Sequence, residues 1–340
     1  MARCRIVFLD AIHLALPDFP FEHTIESYTT TSPGEVAGRV RNATIAISAL
    51  VPITASDLER ATSLKLIAVL ASGYAWVDKC YCALHNISVV YVPDASIEAV
   101  SEHFLGLYFA SRRRIPTISN CVKETHLWTS YQSLRGHIWN DGPPLSCRDE
   151  VLGIIGYGRL GKSIEGLCKS LGFREVLIAE RKGIEVAREG RVQFMETLRR
   201  SSVILLSCPI SDDTRQMIGT AEFEIMRKEA IVVNIARGAL IDEHALSCAL
   251  KQRRIYGAAL DVLCDEPAGP GSSPLLPEID SRVEEVPNLI VTAHLAWYGG
   301  CTIQRLQRSN RDAIVAFWTG TLGSSAVDSS IVVHMGKIWR

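Results

Sequence analysis

The segment from Val151 to Glu180 restricts the fold more than any other part of this 340-residue chain. It starts with an aliphatic run, VLGII, that is typical of a buried strand. Three closely spaced glycines follow directly, and the residues after them have the apolar spacing of a helix. A second aliphatic run, EVLIA, then leads to Glu180. A strand, a glycine-rich turn, a helix and a second strand predict a βαβ unit, which builds a parallel sheet.

The same alternation continues along most of the chain, with helical patterns at 159–171, 219–227 and 242–252. A longer helical pattern, Ile97 to Arg114, ends in three arginines that suit the carboxyl end of a helix, and it separates two series of strands. At about 150 residues per domain, the length fits two domains. We therefore predict an α/β protein with two doubly wound parallel-sheet (Rossmann-like) domains. The strand-like runs are 6–9, 44–48, 66–70, 88–92, 151–156, 175–179, 203–207, 230–235, 257–262 and 288–293.

Composition excludes several classes of protein. The chain is 47% hydrophobic and 21% charged, so it can bury a large core and is not disordered. Its 36 basic and 37 acidic residues give a formal charge of −1, unlike a strongly basic protein, and we expect no nucleic-acid partner. No apolar stretch approaches the roughly 18 residues that cross a bilayer, so we expect no membrane partner. The first apolar run stops at Asp10, which does not fit a signal peptide.

The ten cysteines are scattered along the chain and form no CxxC pair. This spacing does not fit a disulfide framework, so we expect reduced thiols and a cytoplasmic location. No group of Cys and His residues has the spacing of zinc ligands, and we expect no metal site.

The three glycines of the βαβ unit form the pattern Gly156-x-Gly158-x-x-Gly161. Gly156 allows a tight turn, Gly158 lets a pyrophosphate approach the backbone, and Gly161 lets the helix pack closely on the strand. The amino end of the helix offers unpaired N–H groups and a positive dipole to phosphates. The segment therefore predicts a dinucleotide-binding site.

The second strand ends at an acidic residue, Glu180, which lies 19 residues after Gly161. An acidic residue about 20 residues beyond this glycine pattern binds the ribose hydroxyls of NAD, and its charge repels the 2′-phosphate of NADP. We therefore predict NAD as the cofactor. Arg181 and Lys182 follow directly and are a basic pair that could receive a 2′-phosphate, so NADP is not excluded.

Three ionisable residues follow strand-like runs in the second half of the chain: Arg237, Glu266 and His294. The carboxyl ends of strands line the ligand crevice of open α/β sheets, so these side chains can converge there. Arg237 can hold carboxylate and ketone oxygens, and His294 can give a proton to a carbonyl oxygen. Glu266 can orient His294 and favour its protonated form. This set suits the reduction of a 2-oxo acid by hydride from NADH.

From about Ile6 to Phe317 the chain resembles the D-isomer-specific 2-hydroxyacid dehydrogenases. The segments AERKG and HLAW make it similar to the glycerate dehydrogenase (hydroxypyruvate reductase) group of that family. The segments VSEHFLGLYFASRRR and LIAVLASG also resemble the family. The main motifs, in chain order, are VLGIIGYGRLGKSI, LLSCPISDDTRQMIG, VVNIARGALIDEHAL, GAALDVLCDEP and NLIVTAHLAW.

The resemblance implies an NAD-dependent enzyme that interconverts a 2-oxo acid and a D-2-hydroxy acid, with a small-molecule substrate as its partner. It implies a substrate domain at 1–97 plus 298–340, interrupted by a cofactor domain at 98–297 through which two copies form a homodimer. By position in the motifs, the resemblance implies that Arg237, Glu266 and His294 are the catalytic residues. It implies that Ser72, Gly73 and Arg237 bind the substrate. We expect the cofactor to be bound by Gly156, Tyr157, Gly158, Arg159, Leu160, Gly161, Glu180, Arg181, Cys208, Pro209, Ala236 and Asp261.

The chain departs from the family pattern after Ser72 and Gly73, where the large side chains of Tyr74 and Trp76 replace a small or polar run. These side chains either reshape the pocket for a bulkier 2-oxo acid or pack against the irregular segment 126–149. The first possibility leaves open a reductase of a bulkier 2-oxo acid in specialised biosynthesis. The resemblance itself leaves open a second alternative, an NAD-sensing, corepressor-like interaction protein, because the family includes corepressors with the same three catalytic residues.

Overall fold

The computed structural model describes residues 4–139, 142–279, 286–324 and 326–340. Some positions of the predictions lie outside these described residues. Residues 140 and 141 belong both to segment 126–149 and to the predicted cofactor domain, 98–297. Residues 280–285 belong to that domain alone. The chain divides into two compact units. The first combines Met1–Ser96 with Tyr298–Arg340, and the second is the continuous stretch Ile97–Trp297.

The strands are β1 (Cys4–Phe8), β2 (His23–Ser27), β3 (Ile45–Ser48), β4 (Leu66–Val69), β5 (Ser88–Val90), β6 (Val151–Ile155), β7 (Glu175–Ile178), β8 (Val203–Leu206), β9 (Ile231–Asn234), β10 (Gly257–Leu260), β11 (Leu289–Val291), β12 (Ile331–His334) and β13 (Lys337–Ile338). The α-helices are α1 (Val36–Val40), α2 (Ala55–Leu58), α3 (Lys79–Leu84), α4 (Ile97–Arg112), α5 (Ile115–Glu124), α6 (Leu127–Tyr131), α7 (Arg135–Ile138), α8 (Arg159–Ser170), α9 (Phe194–Arg200), α10 (Thr220–Ile225), α11 (Glu243–Lys251) and α12 (Gly300–Trp318).

The first unit contains one sheet in the order β13-β12-β5-β4-β3-β1-β2. Strands β1 to β5 are parallel, whereas β12 and β13 from the end of the chain pair antiparallel at one edge. Every residue of β3, β4 and β5 is buried, as expected for strands covered on both faces. Helix α12 also packs on this sheet, where the Asn310 side chain donates to the carbonyl of Val69 at 3.4 Å.

The second unit contains a fully parallel sheet in the order β11-β10-β9-β8-β6-β7. Its strands alternate between two apolar clusters, one on each face of the sheet. In β8, Ile204 and Leu206 pack with helices α9, α10 and α11, whereas Val203 and Leu205 pack with α4 and α8. The strand order reverses between β6 and β8, and the crevice at such a reversal is where doubly wound sheets bind ligands.

Helix α4 covers one face of this second sheet and ends at a buried arginine rather than at a surface cap. The Arg112 side chain is 1% exposed and bonds the Glu150 carboxylate through Nε at 2.6 Å and Nη2 at 3.0 Å. It also donates to the carbonyls of Ser202 and Glu229. The apolar spacing predicted the helix correctly, but this arginine holds the helix to the amino end of the sheet instead of lying in solvent.

The predicted α/β class with two parallel sheets is confirmed. The sequence patterns did not predict β2 or the C-terminal strands β12 and β13, which are short or carry polar residues at a sheet edge. All ten cysteines lie in the described part of the chain and are free. Within that part, no helix has the length and apolar character needed to span a membrane.

Candidate active site

The glycine-rich turn between β6 and α8 is tight because its neighbours leave no room for side chains. Gly156 has φ +100°, and a Cβ there would lie 2.4 Å from the amide nitrogen of Cys208. A Cβ on Gly161 would lie 2.6 Å from the carbonyl oxygen of Gly156. At Gly158, by contrast, no atom of the described residues other than its two chain neighbours lies within 4 Å of that position. The turn therefore packs closely on one side and faces open space at the amino end of α8.

The residues after β8 lie against this turn, since the backbone of Ser207 and Cys208 meets Gly156. Cys208 and Pro209 follow β8, and Ala236 follows β9. Cys208 is half-buried, and burial raises the pKa of its thiol to about 11, so the thiol is uncharged at neutral pH. Tyr157, inside the turn, donates its hydroxyl hydrogen bond to Glu165 on α8. Cys208, Pro209 and Ala236 thus place uncharged side chains after the carboxyl ends of β8 and β9.

Glu180 follows β7 and is 3% exposed. Its carboxylate accepts hydrogen bonds from the Arg181 amide at 2.9 Å and from the amide, Nε and Nη2 of Arg188 at 3.2, 2.7 and 2.6 Å. The hydrogen bonds from Arg188 and Arg181 hold the pKa of Glu180 far below its ordinary value. The sequence patterns did not predict the role of Arg188, because it lies in an irregular loop with no motif spacing.

His294 and Glu266 are in direct contact. His294 Nδ1 lies 2.6 Å from Glu266 Oε2, and the other carboxylate oxygen accepts from the Leu263 amide at 2.9 Å. Burial raises the pKa of Glu266, but the hydrogen bond and charge of His294, the Leu263 amide and the charge of Arg237 outweigh it and lower the pKa overall. Both side chains are about one third exposed, so a small molecule can reach the imidazole.

Arg237 follows β9 and is half-buried. Burial lowers the pKa of its guanidinium, and the negative charge of Glu266 opposes this shift. The Asn234 side chain fixes the turn before it, donating to the Arg237 carbonyl at 2.8 Å and accepting from the Ala236 amide at 3.1 Å. The structure thus brings Arg237, Glu266 and His294 together at the carboxyl ends of strands in the second unit. Asn234 is a positioning residue that the sequence patterns did not reveal.

Asp261 directly follows β10 and is 1% exposed. Its carboxylate accepts from the Thr292 hydroxyl at 2.6 Å and from the amides of Leu295 and Ala296 at 3.0 and 2.9 Å. His103 Nε2 of α4 lies 3.5 Å from the same carboxylate. These contacts hold the loop that carries the imidazole, and Thr292 and His103 were not recognised from the sequence.

Ser72 and Gly73 lie in the first unit, in the loop after β4, where Ser72 is exposed and Gly73 half-buried. The next aromatic residues are partly buried against the core of that same unit. The Tyr74 ring meets the Tyr91 ring edge-on, with centroids 4.8 Å apart. Tyr74 and Trp76 therefore both pack on the core of the first unit.

The D-isomer specific 2-hydroxyacid dehydrogenase, NAD binding domain model matches residues 105–296. The chain belongs to this family of dehydrogenases. It is 36% identical to the glycerate dehydrogenase of Methylorubrum extorquens, over 93% of this chain and 96% of the relative. It is 34% identical to a putative 2-hydroxyacid dehydrogenase of Haemophilus influenzae, over 89% and 94% of the two chains.

A solved structure has the same fold. It is the NADPH-dependent glyoxylate/hydroxypyruvate reductase of Sinorhizobium meliloti in complex with NADP and malonate, with a TM-score of 0.78, 21% identity and coverage of 100% of this chain and 99% of that one. The predicted family and enzyme class are therefore confirmed: the protein is a nicotinamide dinucleotide-dependent oxidoreductase. The prediction of NAD as its cofactor is confirmed at the level of the NAD-binding domain.

Proposed function

We propose that this protein reduces a short 2-oxo acid, such as hydroxypyruvate or glyoxylate, to the D-2-hydroxy acid with NADH. The observation that carries the proposal is the 2.6 Å contact between His294 Nδ1 and Glu266 Oε2, with Arg237 beside the same carboxylate. A proton donor, its acidic partner and a guanidinium are the groups that reduction of a 2-oxo acid requires.

The imidazole is the proton donor in this proposal. Because Nδ1 of His294 is engaged by Glu266, Nε2 is the nitrogen that can give its proton to the carbonyl oxygen. Glu266 fixes the ring and compensates the positive charge of the protonated imidazole. NADH, when bound, supplies the hydride that reduces the carbonyl carbon. The alcohol product therefore receives its oxygen-bound proton from His294.

The substrate carboxylate needs a cation and N–H donors. Arg237 supplies a fork of N–H groups that matches a carboxylate or the adjacent ketone oxygen. Its partial burial strengthens this contact, because water competes less for the guanidinium. The amides of Ser72 and Gly73 complete the substrate contacts in our proposal. The packing of Tyr74 and Trp76 in their own core favours a short acid over the bulkier one.

The space over Gly158 fits the pyrophosphate of a dinucleotide, since among the described residues no atom beyond its two chain neighbours lies within 4 Å of a Cβ there. This space lies at the amino end of α8, where the helix dipole favours phosphate. We assign Gly156, Tyr157, Gly158, Arg159, Leu160 and Gly161 to the pyrophosphate turn. We assign Cys208, Pro209, Ala236 and Asp261 to the nicotinamide half. Glu180 and Arg181 belong to the adenosine ribose end. Residues 98–297 are then the cofactor domain, and 1–97 with 298–340 the substrate domain, a division that the two compact units support.

We also propose a homodimer through the cofactor domain, in the cytoplasm. Every residue of α5 and α6 is described and none is buried. These helices expose Ile115, Val122, Trp128 and Tyr131, each by more than two fifths. Exposed apolar residues concentrated on two consecutive helices are typical of a protein–protein contact, and a second copy is the occupant that the proposal names.

The proposal is tested by following NADH oxidation at 340 nm with hydroxypyruvate, glyoxylate, pyruvate, phenylpyruvate and branched 2-oxo acids. We expect fast turnover of a short acid. We expect His294→Ala to lower kcat by about 10²- to 10⁴-fold with little change in NADH affinity, because it removes the proton donor but not the cofactor site. His244→Ala, an exposed histidine on α11, is the matched control and should retain activity.

Other outcomes would contradict the proposal in distinct ways. Turnover of bulky acids alone would favour the biosynthetic alternative. Tight NADH binding without turnover of any acid would favour the sensor. Near-full turnover by His294→Ala would show that the imidazole is not the proton donor.

A further inference from the structure

We propose that Arg188 is a specificity-determining residue that masks Glu180 and lets the cofactor site accept a 2′-phosphate as well as a 2′-hydroxyl. The inference rests on the proposed adenosine ribose end of the cofactor site. It changes the meaning of the acidic residue at the end of β7, which by itself predicts exclusion of NADP.

The hydrogen-bonding capacity of Glu180 is already filled. Oε1 accepts from the Arg181 amide and from Arg188 Nη2, and Oε2 accepts from the Arg188 amide and Nε. A carboxylate has about four lone-pair sites, and four donors occupy them. Ribose hydroxyls can donate to Glu180 only by displacing Arg188. The carboxylate therefore does not offer the pair of free acceptors that selects a ribose diol.

The charge of Glu180 is compensated by a cation, not by a proton. The Arg188 guanidinium contacts both oxygens of the carboxylate at 2.6 and 2.7 Å. Glu180 stays ionised at neutral pH, because these contacts keep its pKa low. The ion pair as a whole is neutral, so the repulsion that a lone carboxylate would exert on a phosphate is cancelled nearby.

Arg188 also offers donors of its own. Its side chain is 60% exposed, whereas that of Glu180 is 2% exposed, so the cation covers the acid on the solvent side. The contacts with Glu180 use Nε and Nη2, and Nη1 makes no hydrogen bond with any described residue. An exposed guanidinium with unused N–H groups is the side chain that binds phosphate by two parallel hydrogen bonds.

The loop that carries Arg188 follows β7, and its far end returns to pair with the residues just after that strand. Val192 pairs with Ala179 in a parallel bridge, and the Glu180 amide donates to the Val192 carbonyl at 2.7 Å. Arg191 donates from Nη1 to the Ala179 carbonyl at 2.9 Å. Because Arg188 bonds Glu180 through both its amide and its side chain, the loop presents the guanidinium in a defined place.

The two basic residues that follow Glu180 differ in whether their side chains already have partners. The Lys182 side chain is paired within the protein, since its Nζ lies 2.8 Å from the Glu222 carboxylate and 2.9 Å from the Met217 carbonyl. The guanidinium of Arg181 is exposed and has no hydrogen bond or ion pair within the described part of the chain. A 2′-phosphate at this end would thus meet Arg188 and Arg181 rather than the sequential pair of Arg181 and Lys182.

The test measures binding without turnover. The wild-type protein and Arg188→Met are titrated with NADH and NADPH by dinucleotide fluorescence. Adenosine 2′,5′-bisphosphate and AMP, which differ in the 2′-phosphate, are compared by calorimetry. We expect wild type to bind NADPH within about tenfold of NADH, because the site carries no uncompensated acid. We expect Arg188→Met to raise the ratio of the NADPH Kd to the NADH Kd by about 10- to 100-fold, the range of charge-assisted hydrogen bonds.

Arg199→Met is the matched control, since Arg199 is an exposed arginine on α9 that lies 3.8 Å from Glu196. It should leave the ratio unchanged. Arg188→Lys keeps the charge without the fork, and we expect it to bind NADPH better than Arg188→Met does, which separates phosphate binding from folding of the loop.

Three results would overturn the inference. The first is a wild-type ratio above about tenfold. The second is a rise of less than tenfold in the ratio of the NADPH Kd to the NADH Kd in Arg188→Met. This includes an equal loss of affinity for both dinucleotides, which would mean that the ion pair of Arg188 and Glu180 only stabilises the loop. The third is failure of both dinucleotides to bind wild type, which would refute the proposed cofactor site itself and is distinguishable because NADH binding is measured separately.

Discussion

At the scale of single residues, a buried carboxylate controls the backbone around the imidazole. His294 has φ +53°, in the left-handed region that non-glycine residues seldom adopt. Its amide donates to the Asp261 carbonyl at 2.8 Å, and the Asp261 side chain accepts from the next two amides, of Leu295 and Ala296. The Thr292 hydroxyl donates to the same side chain. Asp261 therefore acts as a positioning residue for the histidine, whatever its contact with a cofactor.

The carboxylate of Glu266 should make stability depend on pH in a specified direction. Its folded pKa lies below the ordinary value of 4.5, so it stabilises the native protein above that pH, and the contribution is lost as pH falls through the folded pKa. Glu266→Gln should lower the unfolding midpoint by roughly 1–4 °C at pH 8 and by progressively less below pH 4.5. Thermal unfolding of both proteins across this pH range measures the difference.

The control for this prediction is Glu196→Gln. Glu196 is an exposed carboxylate whose nearest basic partner lies 3.8 Å away, so its removal should change the midpoint little at any pH. A difference between Glu266→Gln and wild type that stays constant from pH 8 to pH 3 would contradict the linkage and assign the effect to altered shape.

What the sequence could reveal at this scale depended on spacing. Arg237, Glu266 and His294 could be located because each follows a strand-like run, and the carboxyl ends of parallel strands meet. Arg188 could not, since its partner lies eight residues earlier across an irregular loop and the pair makes no periodic pattern. Thr292 was equally hidden, because its contact with a residue 31 positions away exists only once the sheet has formed.

At the scale of elements, two glycines of one turn should respond oppositely to the same added methyl group. Gly158 is the N-cap of α8 with extended backbone angles, and no described atom beyond its chain neighbours lies within 4 Å of its Cβ position. Gly158→Ala should keep the unfolding midpoint within about 2 °C and weaken NADH binding more than about tenfold, because the methyl group occupies the space for the pyrophosphate. Gly156→Ala should instead lower the midpoint by several degrees, since its Cβ would lie 2.4 Å from a backbone nitrogen.

Gly166→Ala is a matched control on the same helix. Gly166 is exposed in the interior of α8, with no described atom outside its own stretch of helix within 4 Å of a Cβ, and alanine is the better helix former there. We expect equal or higher stability and unchanged NADH binding. Calorimetry for NADH and thermal unfolding together decide the matter. Wild-type affinity in Gly158→Ala would refute the pyrophosphate site.

The sequence patterns predicted the strands that are buried on both faces of a sheet. Strand β8 is a continuous aliphatic run, and β9 is aliphatic up to Asn234, because helices cover the sheet on each side. Strand β2, HTIES, is polar at the edge of its sheet and carries no such run. The sequence patterns also missed helix α5. None of its residues is buried, so it has no apolar face packed on the rest of its own chain.

At the scale of the whole molecule, residues distant in sequence complete one sheet. Strand β12 pairs antiparallel with β5, so Ile331 lies opposite Val90, and β13 pairs with β12 outside it. The last 43 residues therefore belong to the same compact unit as the first 96. Pairing across more than 200 residues leaves no local signal, which explains why the sequence patterns did not predict β12 and β13.

The assembly of two chains is the last property that the fold makes testable. Trp128 and Tyr131 on α6 are 54% and 60% exposed, which places large apolar area in water unless a second copy covers it. We expect wild type to elute with twice the mass of one chain in size-exclusion chromatography with light scattering. The double variant Trp128→Ser/Tyr131→Ser should elute with the mass of one chain at micromolar concentration, since aromatic residues contribute most to such contacts. Trp339→Ser removes a tryptophan that is 49% exposed in the other unit and should leave the dimer intact. A monomeric wild type, or a double variant that remains dimeric, would show that α5 and α6 are not the contact between copies.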